Sequence, residues 1–318
     1  MSRKEAIPIR RIMITGGSGF IGTPLARSLV RENYEVVVFD LLPPVSPVAG
    51  VKYVIGDVRN LKQISEHLVG VDATYHFAAQ VSVPYCQENP VISLEHNVLG
   101  TCNLLEAVRV LNQSRPENPI RVIFSSSASV YGDLGNDSEP ISEDIPLDTP
   151  KSFYGMHKIA ADQLLKNYFS AFAVPSLIFR FFNVYGEGQD PNSPYSGVIS
   201  IFSERAKKKL PLTIYGDGSQ TRDFISVHDI ISACQKTLLL PISAYDAKIM
   251  NLGSGKKISI LKLAESISKL YQDNQSFSFS PLRSEDVRYS LANINRSKKL
   301  LDWIPQSDLL DHLKSLIR

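Results

Sequence analysis

The sequence predicts an α/β fold, a doubly wound parallel sheet with a smaller, loop-rich C-terminal substrate subdomain. Three observations predict it. Short apolar runs alternate with helical patterns up to about residue 180, and strands that are apolar throughout belong to parallel sheets covered on both faces. The first run opens into a glycine-spaced loop followed by a helical pattern, the order in which phosphate-binding turns are built. After residue 182 the rhythm breaks into Gly- and Pro-rich stretches, as at 186–197, 216–221 and 281–286, with shorter strands and isolated helices.

Taken in order, the candidate strands are 11–15, 35–39, 52–55, 73–77, 121–125 and 176–181, with helices near 21–31, 61–68, 92–111 and 154–172. Right-handed crossovers then give the doubly wound order, and ligands sit outside the strand C-termini. The expected division is a nucleotide-binding domain over 1–182, with a return near 229–253, and a mainly substrate-binding subdomain over 183–318.

Composition narrows the class. The chain has 318 residues, 43% hydrophobic and 21% charged, with a formal net charge of +2, which are ordinary values for a globular enzyme. A near-neutral balance gives no global field toward nucleic acid or a membrane surface. The run Lys207-Lys208-Lys209 reads as a helix C-terminus, where cations offset the dipole. Three cysteines, Cys86, Cys102 and Cys234, form no CxxC pair, which argues for a reducing compartment and against a metal site. No signal-peptide core opens the chain and no apolar run approaches the roughly 20 residues that span a bilayer. The expectation is a cytoplasmic protein with no nucleic-acid or membrane partner and no metal.

The loop Thr15-Gly16-Gly17-Ser18-Gly19-Phe20-Ile21-Gly22 carries the first chemistry. Of its spaced glycines, Gly16 makes the tight turn, Gly19 lets backbone approach a pyrophosphate, and Gly22 permits close helix–strand packing. A Gly-rich motif alone is weak. Here a strand precedes it, a helix follows, and Asp40 ends the second strand, as a Rossmann-type dinucleotide site requires. Asp40 would accept from the adenine-ribose hydroxyls and repel a 2′-phosphate, favouring NAD over NADP. Asp57, ending the third strand, either meets the adenine amine or caps the helix from Asn60 onward.

Two further segments place reactive groups beside that cofactor. Ser125-Ser126-Ser127 closes a strand and Ala128-Ser129-Val130-Tyr131-Gly132 follows, while Tyr154-Gly155-Met156-His157-Lys158 opens a helical pattern. Tyr154 and Lys158, four apart, share a helix face. An ammonium near a phenol favours the phenolate, which can serve as general base on a hydroxyl and as acid in reverse. A strand-end serine can orient the same oxygen.

With those residues in view, the chain resembles the extended short-chain dehydrogenase/reductase family, specifically its UDP-glucose and UDP-N-acetylglucosamine 4-epimerases. The shared motifs are TGGSGFIG, the strand end His76-Phe77-Ala78-Ala79, Asn97 in NVLGT, FSSSASVYG, YGMHK, RFFNVYG, GDGSQTRDF and SEDVRYSLA. The resemblance implies that Gly16, Gly19, Phe20, Ile21, Gly22, Asp40, Asp57, Val58, Ala78, Ala79, Asn97 and Ser125 bind NAD, together with Tyr154 and Lys158. It makes Tyr154 the base, Lys158 its electrostatic partner and Ser127 the holder of the sugar O4, beside Ser126. Asn183, Arg222 and Arg283 would bind the diphosphate and Asp286 the uridine ribose, with Gly197, Val198 and Tyr215 completing the substrate site. Arg180 reads equally as a structural cation. The reaction implied passes through a 4-keto sugar that turns over before reduction on its opposite face. A homodimer through the helices near 92–111 and 154–172 is the expected assembly.

The relatives of such epimerases differ at readable positions. Dehydratases of this family carry an Asp-Glu pair, and decarboxylases a Glu, where this chain has Ala128-Ser129, so elimination has no catalyst. Glucuronate 4-epimerases place an Arg where this chain has Gly in Gly186-Glu187-Gly188-Gln189, and the adjacent Glu187 would repel an acidic sugar. Gln189 can hydrogen-bond an amide. Ser290 stands where glucose-restricted bacterial enzymes carry a bulky Tyr, and Ser82 resembles the polar residue of enzymes preferring N-acetylated sugars. Each is otherwise an ordinary loop serine. Together they favour UDP-GlcNAc/UDP-GalNAc, with UDP-Glc/UDP-Gal also accepted. A non-catalytic dinucleotide sensor would be expected to have lost Tyr154 or Lys158.

Overall fold

The computed structural model describes residues 9–135, 139–189, 197–271, 275–282 and 286–315. The chain runs β1 (Arg11–Thr15), α1 (Gly22–Arg31), β2 (Glu35–Asp40), β3 (Val51–Ile55), α2 (Leu61–Leu68), β4 (Ala73–His76), α3 (Val83–Glu88), α4 (Pro90–Leu94), a π-helical turn Glu95–Leu99, α5 (Gly100–Gln113), β5 (Arg121–Ser127), a 3-10 turn Ala128–Tyr131, α6 (Phe153–Phe172) and β6 (Ser176–Phe181). It continues through β7 (Asn183–Tyr185), α7 (Val198–Lys207), β8 (Leu212–Tyr215), β9 (Thr221–Ser226), α8 (Val227–Leu238), β10 (Asp246–Leu252), β11 (Lys257–Ser259), α9 (Ile260–Leu270), β12 (Phe277–Ser280), α10 (Asn295–Leu301) and α11 (Leu309–Ser315).

Seven strands form the main sheet in the order β10-β6-β5-β4-β1-β2-β3, with β1 parallel to both β2 and β4, and β2–β3 and β4–β5 parallel as well. Its central strands read as apolar runs because both faces are covered: Ile12, Met13 and Ile14 are fully buried. The chain groups into two compact units, one of Met1–Ser126, His157–Phe179 and Ala233–Met250, the other of Ser127–Met156, Arg180–Ser232 and Asn251–Arg318. In the first, Met13, Phe39, Leu104, Phe124, Leu165 and Ile178 share one core. In the second, Phe202, Ile214, Phe224, Leu263 and Ile267 pack around the three-stranded sheet β11-β9-β7 and the pair β12-β8.

The expected elements are present, with differences that have local causes. The helix expected over 92–111 is three pieces, α4, the π-helical turn and α5, because a wide turn sits at Asn97; such bulges recur at functional sites. β5 runs two residues beyond the expected end at 125. β10 lies at the edge of the main sheet, beside β6. α2 is capped by Asn60, whose side chain accepts from Gln63 N, and not by Asp57. α7 ends at Lys207 with Lys208 as its C-cap, the helix-terminal role read for the lysine run. Among the described residues no helix is long and apolar enough to cross a membrane.

Candidate active site

The glycine loop is shaped by two contacts that no side chain would allow. Gly16 has φ +69°, and a Cβ there would lie 2.6 Å from Ala78 N, so the loops after β1 and β4 meet backbone to backbone. At Gly22 a Cβ would lie 2.5 Å from Gly17 Cα, which lets α1 start directly over the loop. Gly19 is exposed, Phe20 and Ile21 are half-buried, and the first turn of α1 holds no acidic residue. The positive end of the helix dipole is therefore unopposed by any carboxylate of its own turn. Asp40 stands at the loop mouth, its two oxygens accepting from Ser18 N at 3.0 Å and Leu42 N at 3.1 Å. A carboxylate has about four acceptor sites, so capacity for a ribose diol remains. This cradle fits NAD.

Around it the structure adds supports that the sequence reading missed. Asp57 is gripped by Arg59, which donates from its backbone N at 2.8 Å and from Nη2 at 2.7 Å and also reaches Glu95. Burial works to raise the Asp57 carboxyl, but the Arg59 contacts outweigh it and leave it below its ordinary value. Val58 is buried, and a Cβ on Gly100 would press on its side chain at 2.6 Å. Asn97 clamps the loop beyond Ala78 and Ala79, accepting from Gln80 N at 2.6 Å and donating to Gln80 O at 2.9 Å.

His76 organises the same corner. Thr101 Oγ1 donates to Asn97 O at 2.7 Å, so it accepts from His76 Nε2–H at 3.0 Å, and Nδ1 accepts from the Thr15 hydroxyl at 2.6 Å. Thr15 Oγ1 in turn accepts from Ala78 N at 3.3 Å. Every proton in this chain has one place, and the ring is neutral: burial, with the Lys158 charge beside it, holds it down to about 3.

The serine run divides its tasks along β5. Ser125 donates to His76 O at 3.1 Å. Ser126 is buried, and its hydroxyl has no hydrogen-bond partner among the described residues. Ser127 Oγ accepts from Ser129 N at 3.2 Å, capping the 3-10 turn and keeping its O–H free of that bond. The next segment is brought against this turn by a glycine. A Cβ on Gly155 would lie 2.7 Å from Ser129 O, so the start of α6 seats on the turn after β5, and Ser152 caps that start by accepting from Gly155 N at 3.1 Å. Half-buried Tyr154 thus lies in the segment set against the Ser127–Ser129 turn. Lys158, one helical turn on and 2% exposed, donates from Nζ to Ser125 O at 2.6 Å.

In the second unit, Arg222 Nη2 meets Asp286 Oδ1 at 3.4 Å, pairing two of the expected substrate residues. Asn183 is exposed at the start of β7, opposite Phe224 of β9. Gln189 accepts from Ser200 Oγ at 2.8 Å and packs against Gly197 at the head of α7, beside Val198. Tyr215 ends β8 half-buried and Ser290 is 7% exposed. Arg283 lies outside the described residues. Asp223 ties this region together by accepting from Ser254 N, Gly255 N and Ala292 N. Arg180 is 2% exposed with its guanidinium 4.8 Å from the Tyr131 ring centroid. Ser82, in the first unit, caps α3 by accepting from Tyr85 N at 3.2 Å; that helix was missed, although Ser82 followed by Pro84 is a helix-start signal.

Comparison with known proteins places this geometry. The model of the NAD dependent epimerase/dehydratase family matches residues 12–253. The chain belongs to that family. A relative in Methanocaldococcus jannaschii, a putative UDP-glucose 4-epimerase, is 33% identical over 314 residues, covering 96% of this chain and 97% of its own. The structure of a UDP-N-acetylglucosamine 4-epimerase from Methanobrevibacter ruminantium, in complex with UDP-N-acetylmuramic acid, superposes with TM-score 0.87 at 28% identity, covering 98% of each chain. That of the UDP-glucuronic acid 4-epimerase from Bacillus cereus, with UDP-glucuronic acid and NAD, gives 0.83 at 27% identity over 96% of each. This family member is thus an NAD-dependent enzyme of the nucleotide-sugar epimerase/dehydratase class, with the Rossmann-type sheet of that class. Glucose, N-acetylglucosamine and glucuronate all occur among these relatives, so the sugar has to be argued from the site.

Proposed function

We propose that the chain is a nucleotide-sugar 4-epimerase that interconverts UDP-GlcNAc and UDP-GalNAc and also accepts UDP-Glc and UDP-Gal. The observation that carries this is the combination of Tyr154 and Lys158 at the start of α6, seated against a Ser127–Ser129 turn that holds no carboxylate. A dehydratase would need an acid there.

Bound NAD supplies the reversible oxidation of the sugar carbon. Tyr154 takes the proton of the 4′-hydroxyl and gives it back, and Lys158 stabilises the phenolate as it forms. Ser127, its oxygen already accepting from Ser129 N, donates its O–H to the same sugar oxygen. Arg222 pairs with a diphosphate oxygen as a charge-assisted fork, with Asn183 beside it and Asp286 on the ribose. Because Ser200 donates to Gln189 Oε1, the amide N–H₂ of Gln189 is left as the donor to an acetamido carbonyl, which supports the N-acetylated sugar. Glu187, one residue before Gly188, disfavours glucuronate.

Val91, Ile92, Leu94, Leu99 and Val110 are exposed along α4, the π-helical turn and α5, which supports a homodimer through these helices, in a cytoplasmic protein. The test incubates purified protein with UDP-GlcNAc or UDP-Glc and follows the C4 proton by NMR. The expected products are UDP-GalNAc and UDP-Gal, with no net consumption of NAD. A product lighter by one water, or conversion of UDP-glucuronate alone, would refute the assignment.

A further inference from the structure

Two charged side chains outside the motifs of the site, Asp133 and Lys151, tie together segments that carry its parts. Lys151 lies three residues before Tyr154. Its Nζ donates to Asp286 O at 3.0 Å and pairs with the Asp133 carboxylate. Asp133 follows the 3-10 turn Ala128–Tyr131, and its other oxygen accepts from Arg288 N at 3.0 Å. Burial works to raise the Asp133 carboxyl, but the hydrogen bonds from Lys151 and Arg288 N outweigh it and leave it below its ordinary value. One carboxylate and one ammonium thus join residues 133, 151, 286 and 288.

Two glycines let these segments meet. Gly132 has φ +51°, and a Cβ there would lie 3.6 Å from Thr149 O, beside Lys151 N. A Cβ on Gly135 would collide with Tyr289 O. The start of α6 is fixed by other contacts, since Gly155 seats it on Ser129 O and Ser152 caps it. Beyond residue 290 the chain is anchored by Ile141 N, which donates to Leu291 O at 2.8 Å, and by Ala292 N, which donates to Asp223 at 3.1 Å. Segment 286–290 has a main-chain tie to β9, where Thr221 N donates to Arg288 O at 3.0 Å. Its ties at Asp286 O and Arg288 N go to Lys151 and Asp133.

Lys151 takes the main-chain oxygen of Asp286 and leaves the carboxylate, 3.4 Å from Arg222 Nη2, available to a ligand. On the substrate assigned above, which puts Asp286 on the uridine ribose and Ser290 at the sugar, we propose that Asp133 and Lys151 form a clasp that seats segment 286–290 against the segment carrying Tyr154. Both are positioning residues, acting on the substrate through Asp286 and Ser290. Because the clasp orders the nucleotide wall and Tyr154 is held independently, its loss weakens ground-state and transition-state binding alike. Such a loss raises KM and keeps kcat.

The test compares the NAD-loaded wild type with Lys151→Met, Asp133→Ala, the double variant and Lys151→Arg. It reads kcat and KM on UDP-GlcNAc, the Kd of UDP and of NAD by calorimetry, and the urea midpoint. Charge-assisted hydrogen bonds contribute less where they are partly exposed, so KM and the Kd of UDP should each rise about threefold to thirtyfold in Lys151→Met. Asp133→Ala, which also strips Arg288 N of its acceptor, should lose at least as much, and Lys151→Arg should recover most of the loss. The double variant should be no worse than Asp133→Ala, because residues of one network do not add. NAD affinity and the urea midpoint should hold. An unchanged Kd for UDP in both single variants would overturn the proposal, as would losses that multiply in the double variant. A joint fall of kcat, NAD affinity and urea midpoint would overturn it too, by making the pair a general structural need. Wild-type protein that binds UDP but epimerises no UDP-sugar would refute the assigned reaction instead, while the Kd of UDP would still decide the role of the clasp. Wild-type protein that binds no UDP would overturn both.

Discussion

Tyr154 is half-buried at the start of α6 and Lys158 is buried one turn on, beneath the end of β5. Tyr154→Phe removes the acid/base oxygen and leaves the ring in place. Turnover should fall by several hundredfold, within the roughly 10² to 10⁴ that general bases contribute, while NAD stays bound; near-wild-type turnover would show that the proton goes elsewhere. Ser290 tests the sugar. It is 7% exposed, so a Tyr there must displace something. Overpacking costs about 1–3 kcal/mol, which is roughly a 5- to 150-fold loss. In Ser290→Tyr, kcat/KM for UDP-GlcNAc should fall by that factor and kcat/KM for UDP-Glc should change little. An equal loss on both sugars would remove Ser290 from the specificity argument.

At the scale of elements, the decisive feature is how α6 is seated. The sequence announces a helix carrying Tyr154 and Lys158, but only the structure shows that Gly155 is what lets it lie on the Ser129 carbonyl. Gly155→Ala puts a methyl group 2.7 Å from that oxygen, and rigid backbone must move. Helix propensity alone would favour Ala by about 1 kcal/mol, so the expected loss of about 1–3 kcal/mol in stability runs against propensity and is diagnostic. Turnover should drop about tenfold to a hundredfold from misplacement of Tyr154, with NAD affinity unchanged. Titration calorimetry with NAD, beside steady-state rates, separates the two. The cap at Ser152 and the π-helical turn around Asn97 inside the expected 92–111 helix belong to the same scale. Periodicity marks where a helix runs, while the turn type inside it depends on what it packs against.

Across the whole molecule, buried polar hubs hold together segments far apart in sequence. His76 joins Thr15 to Thr101, and Asp223 joins β9 to residues 254, 255 and 292. The His76 hub has a pH signature. Its folded-state value is about 3 against an ordinary 6.5, so the unfolded chain binds a proton that the folded chain refuses. Stability from this group is complete above pH 6.5 and drains away as pH falls toward 3. Between pH 7.5 and pH 5 that amounts to about 2 kcal/mol. Urea midpoints at the two pH values should show a loss of that order, and His76→Gln should be less stable overall yet flatter with pH. A variant as pH-sensitive as wild type would show that the proton is taken up elsewhere.

The sequence by itself determined the fold class, most of the strand and helix succession up to about residue 181, and the glycine loop of its nucleotide site. A parallel strand, a glycine turn, a strand-end aspartate and a Tyr–Lys pair are each written in adjacent or regularly spaced residues, and local periodicity is legible without knowing what lies across the sheet. Tertiary structure decided the rest. That Ser125 O and Phe124 surround Lys158, that both nitrogens of His76 are engaged and its ring neutral, and that Asp223 gathers its three backbone donors all depend on which strands are neighbours. Those partners lie tens of residues apart, and no spacing rule connects them. Burial then sets the charge state of His76 and Lys158, because desolvation is a property of the packed interior and not of the chain.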